Sequence, residues 1–291
     1  MVFNQQMVFE ILQFGFIQRA LISGIAVAVS CSVIGLFLVL RRQALYGDAL
    51  SHVAFGGIAI GFFTNIYPIW TAFAVSVLAS LGITKLRQST KIPADSAVAV
   101  LLSAGLATGV VLIGLSGGFS LDLYSFLFGS ILLITYNDQL MILVISLIVL
   151  AIMYKTYKKF MYIAFDEEQA KVSGIDVTKL NYLFIILASI TVIASIRLVG
   201  VLLISSLIVI PNITAMMFGK SFKKTLLIPI FTSILCVIGG IVISYDMNLA
   251  PGGTIVILSV TVFIALVSIK YLLKAFKVQR HKTMQVNTID R

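Results

Sequence analysis

The sequence predicts an all-α, polytopic membrane protein with about eight or nine transmembrane helices. Three observations carry that expectation. Apolar residues make up 60% of the 291 residues and charged residues only 11%, whereas soluble domains carry roughly 45–50% and about 25%. Mean hydropathy is +1.10. Apolar runs that approach the roughly 20 residues needed to span a bilayer follow one another along the whole chain, separated by short basic or turn-rich segments. Together these exclude an ordinary soluble globule, a disordered chain and a disulfide-rich secreted scaffold. The net charge of +10 does not indicate nucleic acid. Lys and Arg sit in clusters between apolar runs, as membrane topology requires.

The apolar runs place spans at 20–40, 52–64, 68–84, 97–116, 139–154, 180–196, 198–218, 226–244 and 254–270. If nine spans alternate, every Lys and Arg except Arg19 and Arg197 falls on one side. The positive-inside rule makes that side cytoplasmic, with the N-terminus outside and the C-terminus inside a multi-pass plasma-membrane protein. The opposite loops are turn-rich: Asn65–Pro68, Gly117–Gly118 and Tyr245–Gly253. The stretch 123–134 is too short to span and reads as a re-entrant or interfacial helix, tolerable only where protein buries its ends. Residues 1–270 form the membrane domain, and 271–291 a basic cytoplasmic tail near anionic headgroups. The opening MVFNQQMVFEILQFGF has no basic region before its apolar residues and does not read as a cleaved signal peptide.

Cys31 and Cys236 fall inside apolar runs, where a free thiol behaves as a small hydrophobe. Gly57 with Gly61, and Gly105 with Gly109, are small residues at helical spacing that let helices approach closely. Packing within the chain is the plainer reading, a contact between two copies the other. Gly219-Lys220-Ser221 resembles the end of a P-loop. The first glycine of that motif would fall on Thr214, so no ATP site is expected.

Ionisable residues near the spans are few. Asp48 and His52 lie four apart, so on a helix they share one face. A carboxylate and an imidazole so placed can ligate a divalent cation such as Zn²⁺ or Mn²⁺. The competing reading makes Asp48 the N-cap of the second span and His52 a structural histidine. No second His lies in any span, so the site is ligand-poor and suits transit. Arg197 reads as a snorkelling side chain. Asp122, Asp138 and Asp246 read as solvated loop carboxylates. Within the longest basic loop, Asp166 is an N-cap with Gln169 three residues later. Glu167 and Glu168 favour the positive helix end, and Gly174 suits the C′ position. That segment reads as a short capped helix able to dock a partner.

These residues resemble the permease subunits of zinc/manganese ATP-binding-cassette importers, of the type II permease class. The likeness is carried by Leu-Arg41-Arg42-Gln-Ala-Leu-Tyr-Gly47-Asp48-Ala-Leu-Ser51-His52 and by Leu121-Asp122-Leu-Tyr-Ser-Phe-Leu-Phe128-Gly129. It is carried too by the Phe165–Asp176 connector and by Val199-Gly200 through Pro211-Asn212-Ile-Thr214-Ala215. The resemblance implies a homodimer of permeases, cytoplasmic ATPase subunits that supply hydrolysis, and an extracytoplasmic metal-binding protein. The chain itself would be no enzyme and would hold no cofactor of its own. Zn²⁺ or Mn²⁺ would be its cargo, membrane lipid its surroundings, and nucleic acid no partner. It implies metal contact by Asp48 and His52, and coupling to the ATPase by Asp166, Glu167, Glu168, Gln169 and Gly174. Asn212 stands where the family commonly shows Ala, and Ser130 where zinc-type relatives often carry Asp. The surroundings of Asp122 and Tyr245-Asp246 look more like the zinc branch. The alternative function is a secondary transporter of a small solute. No Asp or Glu in spans three to nine as drawn speaks against it. An integral-membrane enzyme would need more catalytic groups than one pair.

Overall fold

A computed structural model describes residues 14–90, 93–116, 118, 121–131, 133–218 and 221–289, with only the helical path given for 273–289. The N-terminal segment 1–13, Gly117 and the Gly219-Lys220 pair lie outside the described residues. Among the described residues all regular structure is helical: α1 Gly15–Leu40, α2 Tyr46–Thr64, α3 Pro68–Thr90, α4 Ala94–Leu115, α5 Leu121–Phe128 and α6 Tyr136–Phe165. There follow α7 Glu167–Val172, α8 Val177–Val199, α9 Ile204–Phe218, α10 Phe222–Met247 and α11 Pro251–Ile289.

Seven of these described helices are long and apolar enough to cross a membrane: α1, α3, α4, α6, α8, α10 and α11. Of the other two expected spans, α9 has only 15 residues. The polar first turn of α2, with Asp48 and then His52, keeps that 19-residue helix out of the seven. The helices also run further than the apolar runs suggest. Asp95 lies in the first turn of α4 and Asp138 in that of α6, and Asp246 lies in the last turn of α10. The expectation that spans three to nine carry no carboxylate is therefore corrected. Capped helix ends tolerate polar residues that an apolar run excludes.

Helix α1 is the central post, in contact with α6, α8, α9 and α10. Its small polar residues find partners on those neighbours. Cys31 and Ser195 share a hydrogen bond of 3.2 Å with α8. The Ser32 and Ser233 hydroxyls lie 2.9 Å apart, joining α1 to α10. Phe37, Phe160, Phe184 and Phe222 bring α1, α6, α8 and α10 together, with ring centroids 5.5 to 6.4 Å apart. Offset and edge-on aromatic contacts of this kind favour a fixed arrangement.

Helix α2 is held differently, by close backbone approach. A Cβ on Gly57 would lie 2.6 Å from the Ala72 Cα of α3, and one on Gly105 of α4 would lie 2.7 Å from the His52 carbonyl oxygen. The glycine pairs therefore do pack within the chain, α2 against both α3 and α4. At the far end, Gly129 (φ +77) and Gly200 (φ +85) meet backbone to backbone. Their conformation and their closeness both require glycine. This junction holds α5, whose late carbonyls are satisfied from the segment after α8: Val201 N donates to Phe126 O at 2.9 Å and Leu202 N to Leu127 O at 3.3 Å. The re-entrant reading of 123–134 required such protein cover.

A test separates close packing from simple helix propensity. Gly105→Ala drives a methyl into the α2 backbone and should destabilise by about 1–3 kcal/mol. Gly114→Ala, in the same helix with open space around it, should be neutral or gain about 0.5–1 kcal/mol. Thermal unfolding of the purified protein in detergent measures both. Equal midpoints would show that α2 does not depend on the contact.

Candidate functional site

Asp48 and His52 stand on one face of α2, His52 Nε2 3.7 Å from Asp48 Oδ1. Their side chains are 31% and 15% exposed, so the pair is reachable but largely enclosed. The N-cap of α2 is Leu45, with no side-chain cap. Asp48 instead occupies the third helical position, where a carboxylate interacts favourably with the helix dipole. The capping account of Asp48 is thereby set aside. Ser51 donates its hydroxyl to the Asp48 carbonyl at 2.7 Å, as helical serines commonly do. The buried His52 Nδ1 has no hydrogen-bond partner. A buried polar nitrogen without a partner is costly; it gives this ring one donor atom turned to Asp48 and one uncommitted. Gly47 packs on Ile208 of α9, 3.3 Å from a Cβ placed there. Among the described residues no group of three or more His, Cys, Asp or Glu could hold a metal. Chemically the pair can offer a divalent cation one oxygen and one nitrogen, leaving other positions to water or backbone oxygens.

The connector adopts the conformation its residues specify. Asp166 caps α7, its carboxylate accepting from Gln169 N at 2.9 Å. Gly174 takes φ +79 just past the helix. Lys171 pairs with Glu167 at 3.2 Å along the exposed face. Asp176 caps the next helix, α8, and hydrogen bonds from the Lys179 side chain and backbone hold its carboxyl below the ordinary carboxylate range. Phe165, the last residue of α6, and Val172, the last of α7, are 72% and 90% exposed. Two large apolar side chains this open beside a polar connector suit a covered surface.

At the opposite end, two sequence readings need correction. Asp138 is not a solvated loop carboxylate. Its side chain is 6% exposed, and it forms a capping box with Thr135 at the start of α6. Arg197 is not a free snorkelling side chain. Its Nε lies 3.6 Å from Asp138 Oδ1 and its Nη2 donates to the Tyr67 hydroxyl at 2.7 Å. Its guanidinium sits 4.7 Å from the Phe126 ring centroid, within cation–π range. One arginine thus ties α8, α6, α5 and the α2–α3 turn. The local signal for the capping box was present in Thr135-Tyr-Asn-Asp138. No local pattern announces the pairing with Arg197. Asp246 is exposed at the end of α10, as expected, and the Asp122 side chain lies outside the described residues.

The described residues thus form a helical membrane bundle with an enclosed carboxylate–imidazole pair on α2 and a capped helix on a connector. The chain belongs to the ABC 3 transport family, whose pattern matches residues 13–270. It is 31% identical to the manganese transport system membrane protein MntC of Listeria innocua over 253 residues, 87% of this chain and 90% of that protein. It is also 31% identical to the high-affinity zinc uptake system membrane protein ZnuB of Haemophilus influenzae over 245 residues, 84% and 94% of the two chains. Among solved structures it resembles PsaBC from Streptococcus pneumoniae in complex with Fab, with a TM-score of 0.80 and 29% identity, covering 90% of this chain and 94% of that one.

The buried ion pair yields a prediction. Arg197→Met leaves the Asp138 carboxylate buried without its cation and should cost about 3–5 kcal/mol. Combining it with Asp138→Asn, which keeps an acceptor for the Thr135 cap, should recover part of that loss. A double-mutant cycle on thermal unfolding reads the coupling. Strictly additive effects would show that the two side chains do not interact.

Proposed function

We propose that the chain is the membrane-spanning permease subunit of an ATP-driven importer of divalent metal ions. Family membership and relatives named for manganese and for zinc transport support that class. One observation carries the choice of site: Asp48 and His52 share a face of α2 at 3.7 Å, enclosed yet accessible. Imidazole and carboxylate together suit zinc, which is bound readily by both donor types, and the Tyr245-Asp246 surroundings resemble the zinc branch. Zinc is therefore placed ahead of manganese, although relatives of both kinds stand at 31% identity.

In this reading the end of the bundle that carries α7 faces the cytoplasm of a plasma membrane, with residues 1–270 as the permease domain and 271–291 as a basic cytoplasmic tail. The first residues lie outside. Two copies form the pathway. An extracytoplasmic binding protein delivers the ion at the α5 end, and separate ATPase subunits dock on α7 through Asp166, Glu167, Glu168, Gln169 and Gly174. An ion held by only two side chains dissociates readily, which suits passage over storage.

His52→Ala should abolish uptake of ⁶⁵Zn by proteoliposomes containing the full complex, with expression unchanged. Asp48→Asn should do the same with thermal stability retained, because it removes the charge and preserves the side-chain shape. Normal rates in both variants would return the pair to a structural role. Replacing Glu167, Glu168 and Gln169 together with Ala should leave the fold intact and reduce copurification with the ATPase. Unchanged copurification and unchanged uptake would remove α7 from the coupling path.

A further inference from the structure

A cavity of about 690 Å³ opens at the α7 end of the bundle. Arg41, Arg42 and Gln43 line it from the α1–α2 connection, Thr84 from α3, Asp95 from α4 and Glu167 from α7. A second cavity of about 100 Å³ shares Arg42, Gln43 and Asp95 and reaches Tyr46. Tyr46 opens α2 and stands two residues before Asp48. The larger cavity touches the coupling segment at Glu167, the smaller one reaches the first residue of α2, and Asp95 lines both.

Asp95 has the properties of a way-station. It lies in the first turn of α4, is exposed, and makes no ion pair among the described residues. It is carried by the helix whose Gly105 rests against the His52 backbone, so carboxylate and imidazole are positioned by elements in direct contact. Of the two arginines, Arg41 is committed to a hydrogen bond with Asn181 and lies 5.3 Å from the Phe184 ring centroid. Arg42 faces the smaller cavity with Asp95. Its backbone is left-handed, φ 56, at the end of α1, with Arg42 N bonded to Val39 O and Gln43 N to Leu38 O. That is the Schellman arrangement, whose left-handed position glycine usually takes. An arginine there carries backbone strain, and its side chain lines both cavities together with Asp95.

We propose that Asp95 is a second, transient ligand for the divalent cation, receiving it from Asp48 and His52 and passing it into the larger cavity. The inference rests on the function proposed above and deepens it. A carboxylate oxygen is a ready donor to a divalent cation, and the nearby Arg42 weakens its hold. Conduction needs sites that bind well enough to be entered and poorly enough to be left. Glu167, the first residue of α7, lines the same cavity, so displacement of α7 reshapes the compartment into which the ion is released.

The test uses the full permease reconstituted with its ATPase and binding protein, measuring Zn²⁺ uptake and ATP hydrolysis together for Asp95→Asn, Asp95→Glu and His52→Ala. Asp95→Asn should lower the maximal uptake rate by about fivefold or more, with the half-saturating concentration of metal-loaded binding protein unchanged. ATP consumed per Zn²⁺ should rise, and Asp95→Glu should restore most of the rate. Uptake by Asp95→Asn within about twofold of the unsubstituted protein, with His52→Ala inactive, overturns the relay and leaves the pair in place. A loss that Asp95→Glu fails to restore also overturns it, because shape and not the carboxylate would then matter. Normal transport by His52→Ala removes the parent reading, and the relay with it.

Discussion

Helix α2 stands where it does because its backbone touches those of α3 and α4. In a bilayer, lipid tails are as apolar as leucine, so helices are not driven together by the hydrophobic effect as in water. Close van der Waals contact takes over that role, and it requires positions without side chains. Gly56, Gly57 and Gly61 on α2 and Gly105 on α4 provide them. The height of Asp48 and His52 in the bundle follows from that contact. So does the delivery of Tyr67, just past the other end of α2, to the Arg197 guanidinium.

The second constraint is that polar groups must be satisfied inside the protein. Several buried serines and threonines answer it locally, as in Thr191 to Leu187 O at 2.8 Å and Ser195 to Thr191 O at 2.7 Å. Where a helix breaks, the answer is tertiary. The short α5 could not end within the bundle without the backbone donors of Val201 and Leu202. The Arg197–Asp138 pair answers the same demand for charge: each side chain is nearly enclosed, and each is tolerable there because of the other.

The helical class was legible in composition, and α7 was legible residue by residue, because caps are local. Asp166, Gln169 and Gly174 lie within nine positions of one another and fix the helix without tertiary help. The shared face of Asp48 and His52 was legible for the same reason. Three things were not. Helix limits were drawn too short at Asp95 and Asp138, because apolar runs stop where capped turns still continue. The partner of Arg197 was hidden because Asp138 and Tyr67 lie far away in sequence. The larger cavity beside Asp95 is a space between α1, α3, α4, α6, α7 and α8, the smaller one a space between the α1–α2 connection, α2 and α4, and no single segment encodes either.

The glycine junction at the α5 end has a consequence for how this sequence can drift. Gly129, Gly200 and Gly252 come from three separate stretches of chain. A side chain on any of them would strike main-chain atoms of Leu198, Val199, Leu127 or Phe128. No neighbouring rotamer can yield to make room, since the obstacle in each case is backbone. A substitution at one position therefore has no compensating partner elsewhere. In a saturation library these three sites should read as blanks, and the surrounding apolar positions should exchange freely. The most immutable letters of this end of the protein are those with no side-chain chemistry at all.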